Sequence, residues 1–152
     1  MGNIFSFFFK SVHVSSEATN NDLNEAFEKL PKSGELKKAE NGFTYIDVDD
    51  RFIRNGLMII KKFGFEEPPY FGDGVGAHIT VMDVQEGETV DAEDILGKKV
   101  EFELEKFEIV KLKVKEVFLV VVKADVLHQM REGKGLDKVK HPFHITIGTK
   151  NI

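Results

Sequence analysis

The sequence predicts a single domain of mixed strands and helices, residues 1–152, folded as two lobes related by an approximate twofold. Three observations predict it. The chain has 152 residues, one domain's worth and enough to withdraw roughly 70% of its unfolded surface from water. Hydrophobic residues make up 41% and charged residues 31%, the proportions of a folded globular chain rather than a disordered or fibrous one. Finally, residues 43–82 and 117–148 repeat one pattern: strand, helix, loop, then a strand reading His78-Ile79-Thr80-Val81 in the first copy and His144-Ile145-Thr146-Ile147 in the second. A spacing this long is no solenoid repeat, so the copies are expected as lobes of one domain.

Taken in order, residues 4–14 read as a buried first strand. The chain's first six residues, Met-Gly-Asn-Ile-Phe-Ser, also fit an N-myristoylation signal with Gly2 as acceptor, the less favoured reading. Asn20 or Asn21 can cap a helix running to Leu30, on which Leu23, Phe27 and Leu30 recur at helical spacing before Pro31. Residues 32–41 form a polar stretch, 43–48 a strand, and Asp49 or Asp50 caps a helix carrying Phe52, Ile53, Leu57 and Ile60 that Gly64 closes. A glycine-, proline- and aromatic-rich loop, 65–76, leads into the strand 78–82. Strands follow near 100–104, 107–114 and 117–122, then a helix near 125–131, a break at Gly133 and Gly135, and a closing strand at 143–147.

Composition excludes several function classes. The chain has no cysteine, which removes thiol nucleophiles, disulfides and cysteine-ligated metal sites. A net charge of −5 argues against a general polyanion binder, since phosphate neutralisation needs clustered lysine and arginine. The longest apolar run, 117–122, is a strand's length and far below a membrane span, so no stable membrane insertion is expected. The expectation is a cytoplasmic monomer, with nothing in the sequence naming a protein partner.

The two repeated strands carry the chemistry. Alternate side chains of a strand face opposite ways, so His78 and Thr80 share one face and Ile79 and Val81 the other, and likewise His144 and Thr146 against Ile145 and Ile147. The apolar faces anchor each strand in its lobe and leave an imidazole and a hydroxyl from each in a polar cleft between them. Two imidazoles and two hydroxyls suit phosphodiester cleavage: one imidazole activates the nucleophile, one imidazolium protonates the leaving oxygen, and the hydroxyls hold phosphoryl oxygens. Neither a metal nor a cofactor is called for.

At these residues the sequence resembles the 2H phosphoesterases, named for two His-x-Thr/Ser-x motifs with hydrophobic x. The resemblance covers most of residues 43–148. It implies an α+β, bilobal fold in which two pseudo-twofold-related antiparallel sheet lobes with flanking helices surround a central cleft. It further implies metal-independent catalysis on 2′,3′-cyclic phosphates, 2′,5′-linked oligonucleotides, RNA ends or ADP-ribose cyclic phosphate. On this resemblance His78 and His144 are acid and base, in an order left open, and Thr80 and Thr146 bind phosphate. A nucleotide or RNA end is the expected partner. The competing readings are a catalytically idle nucleotide- or RNA-end-binding module and a structural domain. Pro142 is displaced from the second motif by Phe143, a departure from the common family pattern that leaves the subfamily open.

Other features are weaker. Tyr70 or Phe71, just before the first motif, offers an aromatic platform for a base or a loop-packing side chain, and Lys150 continues the alternation of His144 and Thr146 toward a phosphate. Lys111, Lys113 and Lys115 alternate on what reads as one strand face, where they guard an edge or guide RNA. His13-Val14-Ser15-Ser16 is a decoy motif with a polar end, His141 with His144 makes a poor metal pair on a strand, and His128 reads as a surface or packing residue.

Overall fold

Strand β7 (Lys115–Lys123) is apolar from Val117 to Val122 because those residues are buried on both faces: Phe118, Val120 and Val122 look one way and Val117, Leu119 and Val121 the other. It lies within an eight-stranded sheet described by a computed structural model over residues 11–152 apart from Asp73. The other strands are β1 (Ser11–Val14), β2 (Ser33–Lys38), β3 (Thr44–Asp47), β4 (His78–Met82), β5 (Lys99–Glu101), β6 (Glu103–Lys111) and β8 (His144–Asn151). Their order is β1-β6-β7-β8-β4-β3-β2-β5, and each neighbouring pair is antiparallel. Four α-helices stand among the described residues: α1 (Glu17–Phe27), α2 (Arg51–Ile60), α3 (Val84–Thr89) and α4 (Asp125–Gly133).

Two stretches of the chain share an element order. The hairpin β2–β3 is followed by α2 and then β4, and the hairpin β6–β7 by α4 and then β8. The two motif strands are neighbours at the middle of the sheet, with Ile79 opposite Ile145.

The main core lies on the face that carries Ile79, Ile145 and Ile147, against Leu23 and Phe27 of α1 and Phe52, Ile53 and Ile60 of α2. Helix α2 approaches β8 closely at Gly56, where a Cβ would stand 2.5 Å from Ile147 Cγ2. Gly64 closes the short 3-10 turn Lys61–Phe63 after α2 with φ of 92°, a left-handed conformation glycine adopts without a steric penalty.

Several sequence expectations are corrected. The first helix starts earlier, with the Ser16 side chain accepting from the Thr19 amide at 3.3 Å, so Asn20 and Asn21 lie inside it. The polar stretch 32–41 contains β2, polar because only Leu36 of that strand is buried. Residues 84–89 are helical through a capping box between Asp83 and Glu86. The strands expected at 100–104 and 107–114 are redrawn as β5 and a long β6, with a register shift between Leu104 and Lys106. Lys111 ends β6, Lys113 lies in the turn and Lys115 begins β7, so the three lysines mark a hairpin tip instead of a strand face. Val12 and Val14 of β1 are exposed, as an edge strand allows; the acylation signal and most of the expected first strand lie outside the described residues. Among the described residues no helix is long and apolar enough to cross a membrane.

Candidate active site

The pairing of β4 with β8 brings the two motifs together. The antiparallel register at Ile79 and Ile145 sets His78 toward Thr146 and His144 toward Thr80, so each histidine lies beside the threonine of the other motif. Rows of neighbours extend this across the same face. One runs Glu108, Leu119, Thr146, His78, Asp47, and the next runs Lys106, Val121, His144, Thr80, Tyr45. All four motif side chains therefore occupy the face opposite the main core, as the alternation predicts.

Both imidazoles are held the same way. Nδ1 of His78 donates to the carbonyl of Gly76 at 2.9 Å, and Nδ1 of His144 donates to the carbonyl of Pro142 at 2.9 Å. A carbonyl can only accept, so Nδ1 carries the proton and Nε2 of each neutral ring is left as an acceptor. Burial pushes both imidazoles below their ordinary pKa. For His78 the charge of His144 adds to that effect, while the Gly76 hydrogen bond and the carboxylate of Asp47 oppose it. For His144 the Pro142 hydrogen bond and the carboxylate of Glu108 oppose it. Each of these carboxylates also has a lysine: Lys37 is 2.8 Å from Asp47 and Lys106 is 3.4 Å from Glu108.

An aromatic wall surrounds His78. The rings of Phe43, Tyr45 and Tyr70 meet the imidazole edge-on at centroid distances of 5.4, 5.8 and 4.9 Å, and Phe43 stacks on Tyr45 at 5.4 Å. Burial, only partly offset by the influence of Thr146, pushes the Tyr70 phenol up to about 12. On the His144 side Val110, Val117, Leu119 and Val121 form a separate aliphatic cluster.

Of the remaining sequence candidates, Phe71 packs against the main core with the Arg54 guanidinium 5.7 Å over its ring, away from the His78 wall. Lys150 is a correction. The register between β7 and β8 shifts between Phe118 and Leu119, so that Thr146 pairs with Leu119 but Gly148 with Phe118, and this extra residue reverses the alternation. Lys150 therefore faces the core side, where its Nζ donates to the Phe63 carbonyl at 3.1 Å and lies 5.0 Å over the Phe65 ring. His13 lies on edge strand β1 opposite Ile109, three strands from β8 in the sheet order. His141 precedes β8, and His128 is exposed with its ring 4.7 Å from that of Phe143. No group of three or more metal-ligating side chains occurs among the described residues.

Sequence reading did not reach Phe43, Tyr45, Asp47 or Glu108. Phe43, Tyr45 and Asp47 do alternate with Thr44, Ile46 and Val48, which marks a strand with a functional face. Which strand it pairs with is a long-range property that alternation does not carry.

Comparison with known proteins agrees with this geometry. No curated protein and no solved structure matches the chain. A family profile described as Swiss Army Knife, 2H phosphoesterase domain, matches residues 44–152, which takes in both motif strands, strand β3, the hairpin β6–β7, and Tyr45 and Tyr70 of the aromatic wall. By that match and by the paired motifs at the centre of its sheet, the chain belongs to the 2H phosphoesterase family.

Proposed function

We propose that this chain is a metal-independent phosphoesterase that hydrolyses a cyclic phosphate or a 2′,5′-phosphodiester of a nucleotide or RNA end. In this reading β4 and β8 form the floor of a central cleft between two lobes related by an approximate twofold. His78 and His144 are the acid–base pair, Thr80 and Thr146 hold phosphoryl oxygens, and the aromatic wall at His78 receives the nucleoside side of the substrate.

For a cyclic phosphate the step balances without a co-reactant other than water. The oxygen of water attacks phosphorus and one Nε2 takes its proton. The bond from phosphorus to one ribose oxygen breaks, and the imidazolium of the other motif gives that oxygen a proton. The product is a phosphate monoester with a free ribose hydroxyl, and the two histidines have exchanged protonation states.

The observation that carries the proposal is the equivalence of the two imidazoles. Each is tied through Nδ1 to the carbonyl two residues upstream, on adjacent antiparallel strands, so both leave Nε2 for chemistry. A ligand-holding role alone would not require this at both motifs. The test is phosphorus NMR in excess chelator on 2′,3′-cyclic nucleotides, a 2′,5′-linked dinucleotide, ADP-ribose cyclic phosphate and short RNAs ending in a cyclic phosphate. Turnover of one of these by the wild type and none by His78→Ala supports the proposal. Binding without turnover across the whole panel would replace it with the idle binding module.

A further inference from the structure

The two motif histidines differ in what stands beside them on the outer strand. His78 of β4 pairs directly with Asp47 of β3, whereas His144 of β8 pairs directly with Val121 of β7. Directly opposed residues of an antiparallel pair share a face, with Cβ atoms about 4.5–5.5 Å apart, so one imidazole has a carboxylate for a neighbour and the other an isopropyl group. Val121 is buried in the aliphatic cluster of β6 and β7, while Asp47 is partly exposed and held by Lys37 at 2.8 Å. The remaining charges of this face stand a strand farther out. Glu35 and Lys37 lie on β2 beyond Asp47 and Tyr45, and Lys106 and Glu108, ion-paired at 3.4 Å, lie on β6 beyond Val121 and Leu119. Glu108 therefore acts on His144 only from two strands away, and a charge on His141, just before β8, repels one on His144.

We propose that Asp47 divides the roles of the pair, making His78 the general acid and leaving His144 as the general base. This deepens the phosphoesterase reading and rests on it. A carboxylate beside an imidazole favours its charged form, and an apolar neighbour favours the neutral one. When the pair holds a single proton, that proton therefore resides on His78. His144 Nε2 takes the proton of the attacking water, and His78 Nε2 gives its proton to the ribose oxygen as the bond from that oxygen to phosphorus breaks. Solvent then returns a proton to His78 as His144 releases one. Asp47 touches no reacting atom and acts through His78 as a positioning residue. Lys37 tempers it, sharing the carboxylate so that His78 does not hold its proton too tightly to give it away.

The experiment follows the imidazole Hε1 resonances of the free, full chain against pH in wild type, Asp47→Asn and Lys37→Gln. The His78 midpoint is expected to fall by about half to one pH unit in Asp47→Asn and to rise in Lys37→Gln, with His144 moving less in both. An ion pair of purely structural value would not produce opposite signs. The same chains, with His78→Gln and His144→Gln, are then given whichever member of the phosphodiester panel the wild type cleaves, beside its analogue with sulfur in place of the leaving ribose oxygen. A thiolate leaves without a proton, so the analogue is expected to bring His78→Gln and Asp47→Asn within about tenfold of wild type and to leave His144→Gln inactive. A His78 midpoint unmoved in Asp47→Asn overturns the proposal, as does rescue of His144→Gln or failure to rescue His78→Gln. If the wild type cleaves no member of the panel, the phosphoesterase reading falls and this inference with it. Cleavage by the wild type without the His78 shift removes this inference alone.

Discussion

Asp50 reaches from the start of α2 to accept the backbone amide of Ala77 at 2.9 Å, immediately before β4. One of the two residues expected to cap α2 therefore instead fixes the chain entering the first motif, its side chain making no cap hydrogen bond, while Asp49 Oδ1 accepts from the Arg51 amide at 2.9 Å. Gly76 lies against it: a Cβ there would stand 2.0 Å from Asp50 Oδ1, and the carbonyl of the same Gly76 holds His78. Gly76→Ala must then displace Asp50 or tilt the imidazole. Turnover is expected to fall more than tenfold, while stability falls by about 1 kcal/mol, one hydrogen bond's worth. Steady-state kinetics beside urea denaturation checks this, and wild-type kcat in the variant would contradict it.

Either histidine alone should be indispensable. His78→Ala and His144→Ala are each expected to lower kcat by about 10²–10⁴, the usual range for a positioned acid or base. The double variant should be little worse than the single ones, because the two act as a unit. Single-turnover measurements on the substrate found by phosphorus NMR supply the comparison.

Depressed imidazole pKa values set the direction of two pH effects. In kcat/KM, which reports the free enzyme, the base is already deprotonated and the acid already losing its proton below the ordinary value of about 6.5. The optimum is expected on the acidic side of that value, and an alkaline optimum would contradict the assignment.

Stability has its own sign. The fold keeps both rings neutral where the unfolded chain would protonate them, so their contribution is complete above about pH 6.5 and is lost as pH falls toward the folded-state values. The melting temperature should drop between about pH 7 and pH 5. A His78→Gln, His144→Gln double variant should flatten that slope, as read by circular dichroism at fixed ionic strength.

Arg131 on α4 is buried and donates to the Val81 carbonyl at 2.7 Å, to both Glu86 oxygens at 2.8 and 2.7 Å, and to the Asp137 carbonyl at 2.8 Å. It joins α4 to α3 and to the end of β4. Arg131→Met strands a half-buried carboxylate and two carbonyls and is expected to cost about 3 kcal/mol, the low end for breaking a buried pair. Removing both partners in an Arg131→Met, Glu86→Gln variant should recover part of it, and a double-mutant cycle in urea measures how much.

What the sequence disclosed was local. The repeated His-Ile-Thr pattern identified both motif strands and their shared face, and periodicity located α2, β3 and β7. Polar elements escaped: β2 buries only Leu36, too little for an alternation signal, and α3 has six residues. Within the site, His78 and Thr80 were legible because they belong to one strand. Asp47 and Tyr45 were not, because they reach His78 and Thr80 through the pairing of β3 with β4. Lys150 was misassigned through the extra residue in β8, which no side-chain pattern announces.

Strand β8 lies between β7 and β4 yet follows both in the chain, and this has a consequence during synthesis. Until residues 144–151 have emerged from the ribosome, β4 and β7 each present an unpaired edge, and that of β7 bears the apolar run 117–122, a template for strand pairing between nascent chains. The step that completes the sheet is the same one that brings His144 beside Thr80. A chain stopped short of residue 144 would therefore lack one of the two proposed catalytic histidines and be prone to aggregate, the pairing of the motifs and the protection from self-association arriving together in one eight-residue strand.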